Sequence, residues 1–212
     1  MSVVFALIVP KGNLIPIILS SPHSGTAFPA GTETHVVPRL VETTPDTDWF
    51  VDKLYDFATD LGVTIIRAKN SRYVIDLNRD PKGAALYADG REETELVPTK
   101  TFGGEAIYHG VKPSAADIQE RLTQYYWPYY REIERVIKSL QSKYAHVLFY
   151  DAHSIKRLVP SIRSEPFPDL ILGNQNGKTA AASVIEAAVG ELRRSSYQVR
   201  HNDPFKGGHL PR

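Results

Sequence analysis

The chain has 212 residues, with 25 lysines and arginines against 24 aspartates and glutamates, and it contains no cysteine. This length is enough for one large domain with a substantial core. The near-neutral charge gives no reason to expect a nucleic acid or an anionic membrane as a partner. The lack of cysteine excludes disulfides, thiolate metal sites and cysteine nucleophiles, so a transition metal would need histidine and carboxylate ligands.

Residues 1–10 are apolar but carry no basic stretch, and they are too few to span a bilayer. We therefore expect a soluble, cytoplasmic protein without a membrane partner. Repeats, low-complexity tracts and linker-like segments are all missing from the sequence, which predicts a single domain over residues 1–212. The sequence gives no indication of the oligomeric state.

The first half of the chain alternates strand-like and helical patterns. Residues 15–21 predict a strand that ends in a polar cluster, and residues 26–44 predict a loop. A helix is expected to open at residues 46–48 and to end at Gly62, since four apolar side chains recur at helical spacing: Phe50, Leu54, Phe57 and Leu61. Strands are predicted at residues 63–68 and 72–75.

In the second half, residues 82–109 predict a long excursion with a short hairpin at 101–108. A capping box at Ser114 and Asp117 opens a long helix that reaches Leu140 and is kinked or split at Pro128. Residues 147–150 predict a strand buried on both faces, followed by a strand at 170–172, a helix over 177–194 and a strand at 197–200. The alternation predicts an α/β fold with a mainly parallel or mixed sheet flanked by helices.

Two histidines follow strand-like runs in the same way. His23 comes after the strand at 15–21 and His153 after the strand at 147–150, and each is followed by a serine. A single buried histidine is more often a hydrogen-bonding residue than a ligand. Two histidines at the edge where α/β sheets bind ligands favour a metal site, with zinc as the default and iron, manganese or cobalt as alternatives.

Carboxylates near these histidines are the candidates for the remaining roles. Asp46 or Asp48 would supply a third ligand, and the other would be an ordinary helix N-cap. Asp151 precedes His153 by two residues and would project to the same face of its strand. It therefore suits a carboxylate that orients the imidazole, a general base, or a structural acid at a strand end.

An asparagine and two arginines lie around the predicted strand at residues 72–75. Asn78 and Arg79 suit a substrate carboxylate, because a guanidinium binds a carboxylate in a bidentate geometry and an amide adds a further contact. Arg72 could serve in the same way, or it could form a structurally ordinary ion pair.

Five short motifs together resemble the N-formylglutamate amidohydrolase family. They are Ser-Pro-His-Ser-Gly at 21–25, Asp-Thr-Asp-Trp at 46–49, Ser-Arg-Tyr-Val-Ile-Asp-Leu-Asn-Arg-Asp-Pro at 71–81, Asp-Ala-His-Ser-Ile at 151–155 and Asn-Asp-Pro-Phe-Lys-Gly-Gly at 202–208. The resemblance covers nearly the whole chain in the same order.

This resemblance implies a phosphorylase/hydrolase-like fold, akin to zinc carboxypeptidases and aspartoacylase. It also implies hydrolysis of N-formyl-L-glutamate, a small-molecule substrate from histidine degradation, to formate and L-glutamate. His23, His153 and an acid of the Asp-Thr-Asp-Trp motif, Asp48, would bind the metal. Asn78 and Arg79 would hold the substrate carboxylate.

The sequence departs from the family after the Gly-Gly pair. Members of the family continue into a segment with a glutamate, whereas this sequence ends at residues 209–212. We therefore expect the family's general base to be missing: either the C-terminal segment is absent from this sequence, or the activity is lost, or a residue such as Asp151 serves as the base instead. Two alternatives stay open: a hydrolase of another N-acyl amino acid, and an inactive relative that binds carboxylates.

Overall fold

The computed structural model describes residues 4–84 and 94–210 of the chain. A four-stranded sheet has the order β1-β3-β2-β4, with β1 (Phe5–Ile8), β2 (Ile17–Ser21), β3 (Thr64–Ala68) and β4 (Leu148–Asp151). Strands β2, β3 and β4 are parallel, and β1 is antiparallel to β3. A separate parallel pair is formed by β5 (Leu170–Leu172) and β6 (Val199–His201). The predicted α/β class with a mixed sheet is confirmed, whereas β1 was not predicted.

Five α-helices occur in the described residues: α1 (Pro38–Thr43), α2 (Val51–Leu54), α3 (Ala115–Arg121), α4 (Trp127–Gln141) and α5 (Ala182–Leu192). The predicted capping box of Ser114 and Asp117 opens α3. Leu122–Tyr126 is a π-helical turn that separates α3 from α4 directly before Pro128. The predicted interruption is therefore confirmed, and it fits the lost N–H of the proline. Among the described residues, no helix is long and apolar enough to cross a membrane.

The two faces of the four-stranded sheet are covered unequally. Ile18 and Ile66 face a large core that includes the inner faces of α3 and α4. Leu19 and Ile65, their neighbours along β2 and β3, face a much smaller core that is covered by α2 and the 3₁₀ helix Asp56–Thr59. Because side chains alternate along a strand, both faces of β2 and β3 are apolar, as expected for central parallel strands.

Two predicted elements differ from the structure around residues 46–75. The predicted strand at 72–75 is a turn, in which the Val74 N–H donates to the Ser71 carbonyl at 2.9 Å. The predicted helix over 46–61 starts only at Val51, because the segment before it is held by contacts with other loops and Phe50 has a φ of 65°. In both places, an apolar pattern in the sequence predicted more regular secondary structure than the fold contains.

Strand β4 is an edge strand and not a strand covered on both faces, as its apolar run predicted. It pairs only with β2, and Leu148 is 38% exposed. Four apolar residues in succession cannot distinguish a central strand from an edge strand. Part of the predicted excursion at 82–109 lies outside the described residues; at its predicted hairpin, the structure has a single antiparallel bridge between Lys100 and Ala106.

Candidate metal centre

His23 and His153 meet at the carboxyl ends of neighbouring strands. Strands β2 and β4 pair in parallel with Ser20 opposite Asp151, and each histidine comes two or three residues beyond that pair. Their ring centroids lie 4.9 Å apart. The carboxyl edge of a parallel sheet is where such folds collect ligands, so the shared strand direction brings the two imidazoles together.

Asp48 is the third member of this cluster. Its backbone N–H donates to the His23 carbonyl at 3.0 Å, which ties its loop to the end of β2. Its Oδ2 atom lies 3.0 Å from Nδ1 of His153 and 3.9 Å from Nδ1 of His23, and it also accepts from the Ser154 N–H at 3.1 Å. One ligand atom from each of His23, Asp48 and His153 can be chosen so that all three lie within 4.8 Å of one another.

The outer nitrogen of each imidazole is held by a further carboxylate. Nε2 of His23 lies 2.7 Å from Oδ1 of Asp76, and Nε2 of His153 lies 2.8 Å from Oδ2 of Asp151. Each carboxylate favours a proton on Nε2, which leaves Nδ1 as the ligand nitrogen facing Asp48. Two neutral imidazoles and one carboxylate are a donor set that suits a divalent transition metal, so the residues present fit such an ion.

Charges around the cluster determine its protonation in the absence of a metal. Burial opposes ionisation of Asp76, but the Arg72 guanidinium and then His23 outweigh it and hold the pKa of Asp76 well below its usual value. Burial lowers the pKa of His23. Desolvation also disfavours the cationic form of His153, although its side chain is 31% exposed. The carboxylates of Asp151 and then Asp48 outweigh this effect and raise its pKa to about 10.

Asp46, the other candidate for the third ligand, is used differently. Its Oδ2 accepts from the Tyr73 hydroxyl at 2.8 Å and from the Phe102 N–H at 2.9 Å. The choice between the two acids left open by the sequence therefore falls on Asp48. Neither acid is a helix N-cap, because Phe50 occupies that position of α2 without a side-chain hydrogen bond.

Asp151 lies against the metal-site cluster, but its geometry limits what it can do. One carboxylate oxygen contacts Nε2 of His153, and the other, Oδ1, is buried without a hydrogen-bond partner among the described residues. The contact favours the orienting role over the role of general base.

Arg72 is buried and contacts the cluster through Asp76. Its Nη2 donates to Oδ2 of Asp76 at 2.6 Å, and its guanidinium lies 4.7 Å from the Phe102 ring centroid. Only 5% of its surface is exposed. Arg72 therefore compensates the charge of the acid that holds His23; it forms the ion pair that the sequence left open, but this pair is buried rather than on the surface.

Asn78 lies against His153, and Arg79 follows it in the chain. Nδ2 of Asn78 is 3.1 Å from Nε2 of His153, and its Oδ1 accepts from the His209 and Leu210 N–H groups. Arg79 donates to the carbonyl and hydroxyl of Thr94 and to the Asn78 carbonyl. A Cβ atom at Gly208 would lie 2.3 Å from the Asn78 amide, which explains the second glycine of the Gly-Gly pair.

Asp76 is the residue of this site that sequence reasoning missed. It is fully buried, and besides His23 and Arg72 it accepts from the Asn78 N–H at 2.9 Å. The available signal was its position in the Asp-Leu-Asn-Arg run that follows an apolar stretch. An acid that ends a buried segment must find partners, and here the partners are a metal-site histidine and an arginine.

Comparison with known proteins agrees with these observations. The family model described as "N-formylglutamate amidohydrolase" matches residues 15–212. N-formylglutamate deformylases of Pseudomonas putida and Pseudomonas aeruginosa are 34% and 35% identical to the chain; the matches cover 93% and 95% of the chain and 74% and 76% of these relatives.

Solved structures give the same result. An N-formylglutamate amidohydrolase from Ralstonia eutropha superimposes with a TM-score of 0.83 at 28% identity, over 98% of this chain and 79% of that one. A gene product from Agrobacterium tumefaciens shares the fold, with a TM-score of 0.71 at 19% identity over 95% of this chain and 74% of that one. The chain belongs to the N-formylglutamate amidohydrolase family, a family of hydrolases that act on an amide bond.

Proposed function

We propose that this protein is a metal-dependent amidohydrolase that cleaves N-formyl-L-glutamate to formate and L-glutamate, a step of histidine degradation. The observation that carries the proposal is the convergence of His23, Asp48 and His153, each imidazole backed by its own carboxylate. The names of the two Pseudomonas relatives and of the Ralstonia structure support the substrate.

The three ligands would hold one divalent ion, with zinc expected from the His/His/carboxylate set. When bound, such an ion supplies a Lewis acid that polarises the formyl carbonyl and acidifies water. The protein contributes ligand geometry. Asp76 would keep Nδ1 of His23 available to a bound ion, and Asp151 would do the same for His153, so we assign Asp151 an orienting role in catalysis.

Arg79 and Asn78 would hold the carboxylate end of the substrate. Arg79 is only partly buried, and its partners among the described residues are neutral oxygens of Thr94 and Asn78, which a substrate carboxylate can replace with a stronger charged pair. The side-chain amide of the preceding residue, Asn78, lies 3.1 Å from Nε2 of His153. Anchoring the substrate there would hold the formamide bond beside the metal, which is a positioning contribution to the rate.

We propose that residues 1–212 form a single domain that is related to zinc carboxypeptidases and aspartoacylase. The architecture supports this relationship. In those enzymes, as the resemblance implies, a mixed α/β sheet carries a histidine and carboxylate site. Here the two histidines follow parallel neighbours of a mixed sheet, and the acid comes from a loop tied to one of them.

Metal content and formate release test the proposal together. We expect about one equivalent of zinc in the purified protein by elemental analysis, and formate from N-formyl-L-glutamate in an enzyme-coupled assay. His153→Ala should lose both, while His146→Ala, at an exposed position before β4, should keep both. N-acetyl-L-glutamate is the comparison substrate, because faster acetate release would assign the enzyme to another acyl group. Full activity of metal-stripped protein would refute the metal role.

A further inference from the structure

Residues 72–79, here called the 72–79 segment, carry four polar residues of the site on a stretch of chain without helix or strand. These are Arg72, Asp76, Asn78 and Arg79, and the segment is buried up to Asn78. Buried backbone that has no ladder or helical partners must bind its carbonyl oxygens to side chains or water. The groups that bind these carbonyls therefore determine where the site residues lie.

Two tyrosines bind the carbonyls on either side of Asn78. The Tyr130 hydroxyl donates to the Leu77 carbonyl at 2.7 Å, and the Tyr126 hydroxyl donates to the Arg79 carbonyl at 2.8 Å. The two rings stack with their centroids 4.4 Å apart and an angle of 15° between their planes. Burial raises the pKa of both hydroxyls, so both keep their protons and act as donors. The pair holds the backbone directly before and directly after Asn78.

The π-helical turn between α3 and α4 brings side chains of both helices to this segment. It is closed by a bond from the Trp127 N–H to the Leu122 carbonyl, five residues back. Residues five apart are rotated by about 140° in an α-helix, whereas five residues make roughly one turn of a π-helix. Arg121 and Tyr126 can therefore face the same side, and Nη1 of Arg121 donates to the Val74 carbonyl at 2.9 Å. Such π-turns are frequent at functional sites.

The side chain of Asn78 is fixed by contacts of its own. Its Oδ1 accepts from the N–H groups of His209 and Leu210 at 2.5 Å and 3.2 Å, which directs Nδ2 towards His153. The backbone carbonyl of Asn78 accepts from Nη1 of Arg79 at 3.0 Å. The guanidinium is thus placed relative to a backbone that the two tyrosine hydroxyls hold. A small shift of a group that positions a substrate has a large effect on the rate.

We propose that Tyr126 and Tyr130 are positioning residues of the substrate site, which hold the Asn78 amide and the Arg79 guanidinium in place for the substrate carboxylate. This inference rests on the proposed function, because it assumes that Asn78 and Arg79 bind the substrate. The tyrosines act through the backbone carbonyls of Leu77 and Arg79, and not by contact with the substrate.

Tyr126→Phe and Tyr130→Phe test the proposal, since each removes one hydroxyl and keeps the ring. Each variant should raise KM for N-formyl-L-glutamate about three- to tenfold, the equivalent of one lost hydrogen bond. We expect kcat to change less than about twofold, because an anchor binds the ground state and the transition state alike. Zinc content should stay unchanged. Tyr144→Phe is the matched control: it removes a hydroxyl that donates to the Leu14 carbonyl, before β2 and away from its metal-site end, and should leave KM unchanged.

A double variant separates positioning from a general loss of stability. In the Arg79→Ala background the anchor is already lost, so Tyr126→Phe should lower kcat/KM no further. A general effect on the fold would add in both backgrounds. Unchanged KM in both tyrosine variants, or full additivity with Arg79→Ala, would overturn this inference while the unaltered protein still released formate. If the unaltered protein released no formate, the proposed function would fail, and this inference with it.

Discussion

Nε2 of His23 lies 2.7 Å from Oδ1 of the fully buried Asp76, whose other oxygen accepts from Arg72 at 2.6 Å. This contact decides which nitrogen of the histidine faces Asp48. The carboxylate of Asp76 lies in the interior of the protein, and its buried charge is compensated by Arg72. The proposed metal centre would therefore depend on a buried ion pair that supplies none of its three ligands.

Asp76→Asn tests this dependence. The amide keeps the shape but removes the charge, so it holds the His23 proton less strongly and leaves Arg72 uncompensated. We expect zinc affinity to fall about 10- to 100-fold in a chelator competition. The metal-free protein should lose ~3–5 kcal/mol in urea unfolding. Glu134→Gln, on the exposed side of α4, is the control and should change neither quantity. Unaltered zinc affinity would show that His23 is oriented by other contacts.

The convergence of His23 and His153 could be predicted because its signal is local. A strand that ends in a polar cluster can be recognised from a few residues, and parallel pairing then brings such ends together, as it does for His23 and His153. Asp76 and Arg72 could not be assigned in the same way. Their roles follow from a turn at residues 72–75 that looks like a strand in the sequence, since a buried turn and a buried strand share apolar composition.

The spacing of Phe50, Leu54, Phe57 and Leu61 shows a different limit. The periodicity correctly indicated that these side chains share one face, yet they are exposed and the buried residues are Val51 and Ala58. A hydrophobic pattern identifies a surface that will be covered, but not by what. The pattern predicted a helix over this segment, whereas the structure leaves the four side chains exposed.

Asp48→Asn and Asp46→Asn should have separate effects, although both acids are buried in the same loop. Asp48 faces both imidazoles, so its amide variant should lose most of the bound zinc. Within the described parts of the chain the Asp46 carboxylate accepts from Tyr73 and Phe102, so its variant should keep about one equivalent of metal and show a lower unfolding midpoint. Elemental analysis with thermal unfolding gives both results. If the two variants lost zinc equally, the metal site would depend on Asp46, through its support of the loop, as strongly as on the proposed ligand Asp48.

The two arginines should separate substrate binding from structural support. Arg79→Ala is expected to lower kcat/KM for N-formyl-L-glutamate about 10- to 100-fold with zinc content unchanged, since a charged hydrogen-bonded anchor contributes ~1.5–3 kcal/mol. Arg79→Lys should recover part of the loss. Arg72→Ala leaves Asp76 as an unpaired buried charge, so it should reduce stability and zinc affinity first. If Arg72→Ala raised KM and left stability and zinc affinity unchanged, Arg72 would instead be assigned to the substrate site.

Zinc binding should release a proton from His153 over the neutral pH range. In the metal-free protein its pKa is raised to about 10, despite burial, by Asp151 and then Asp48, so the ring is a cation at pH 7. A ligand nitrogen must be free of its proton, and the Asp151 contact retains the proton on Nε2, so the one on Nδ1 leaves. Apparent zinc affinity should therefore rise about tenfold per pH unit between pH 6.5 and 8.

Calorimetric titration in buffers of different ionisation enthalpy measures this release directly, with about one proton expected per zinc ion. The raised pKa also predicts the pH dependence of the metal-free protein. An unfolded histidine titrates near 6.5, so the stabilisation from His153 is complete below that pH and is lost as pH rises towards 10. Metal-free His153→Gln should lack this decline in melting temperature. A proton count near zero would show that His153 is already neutral before the metal binds.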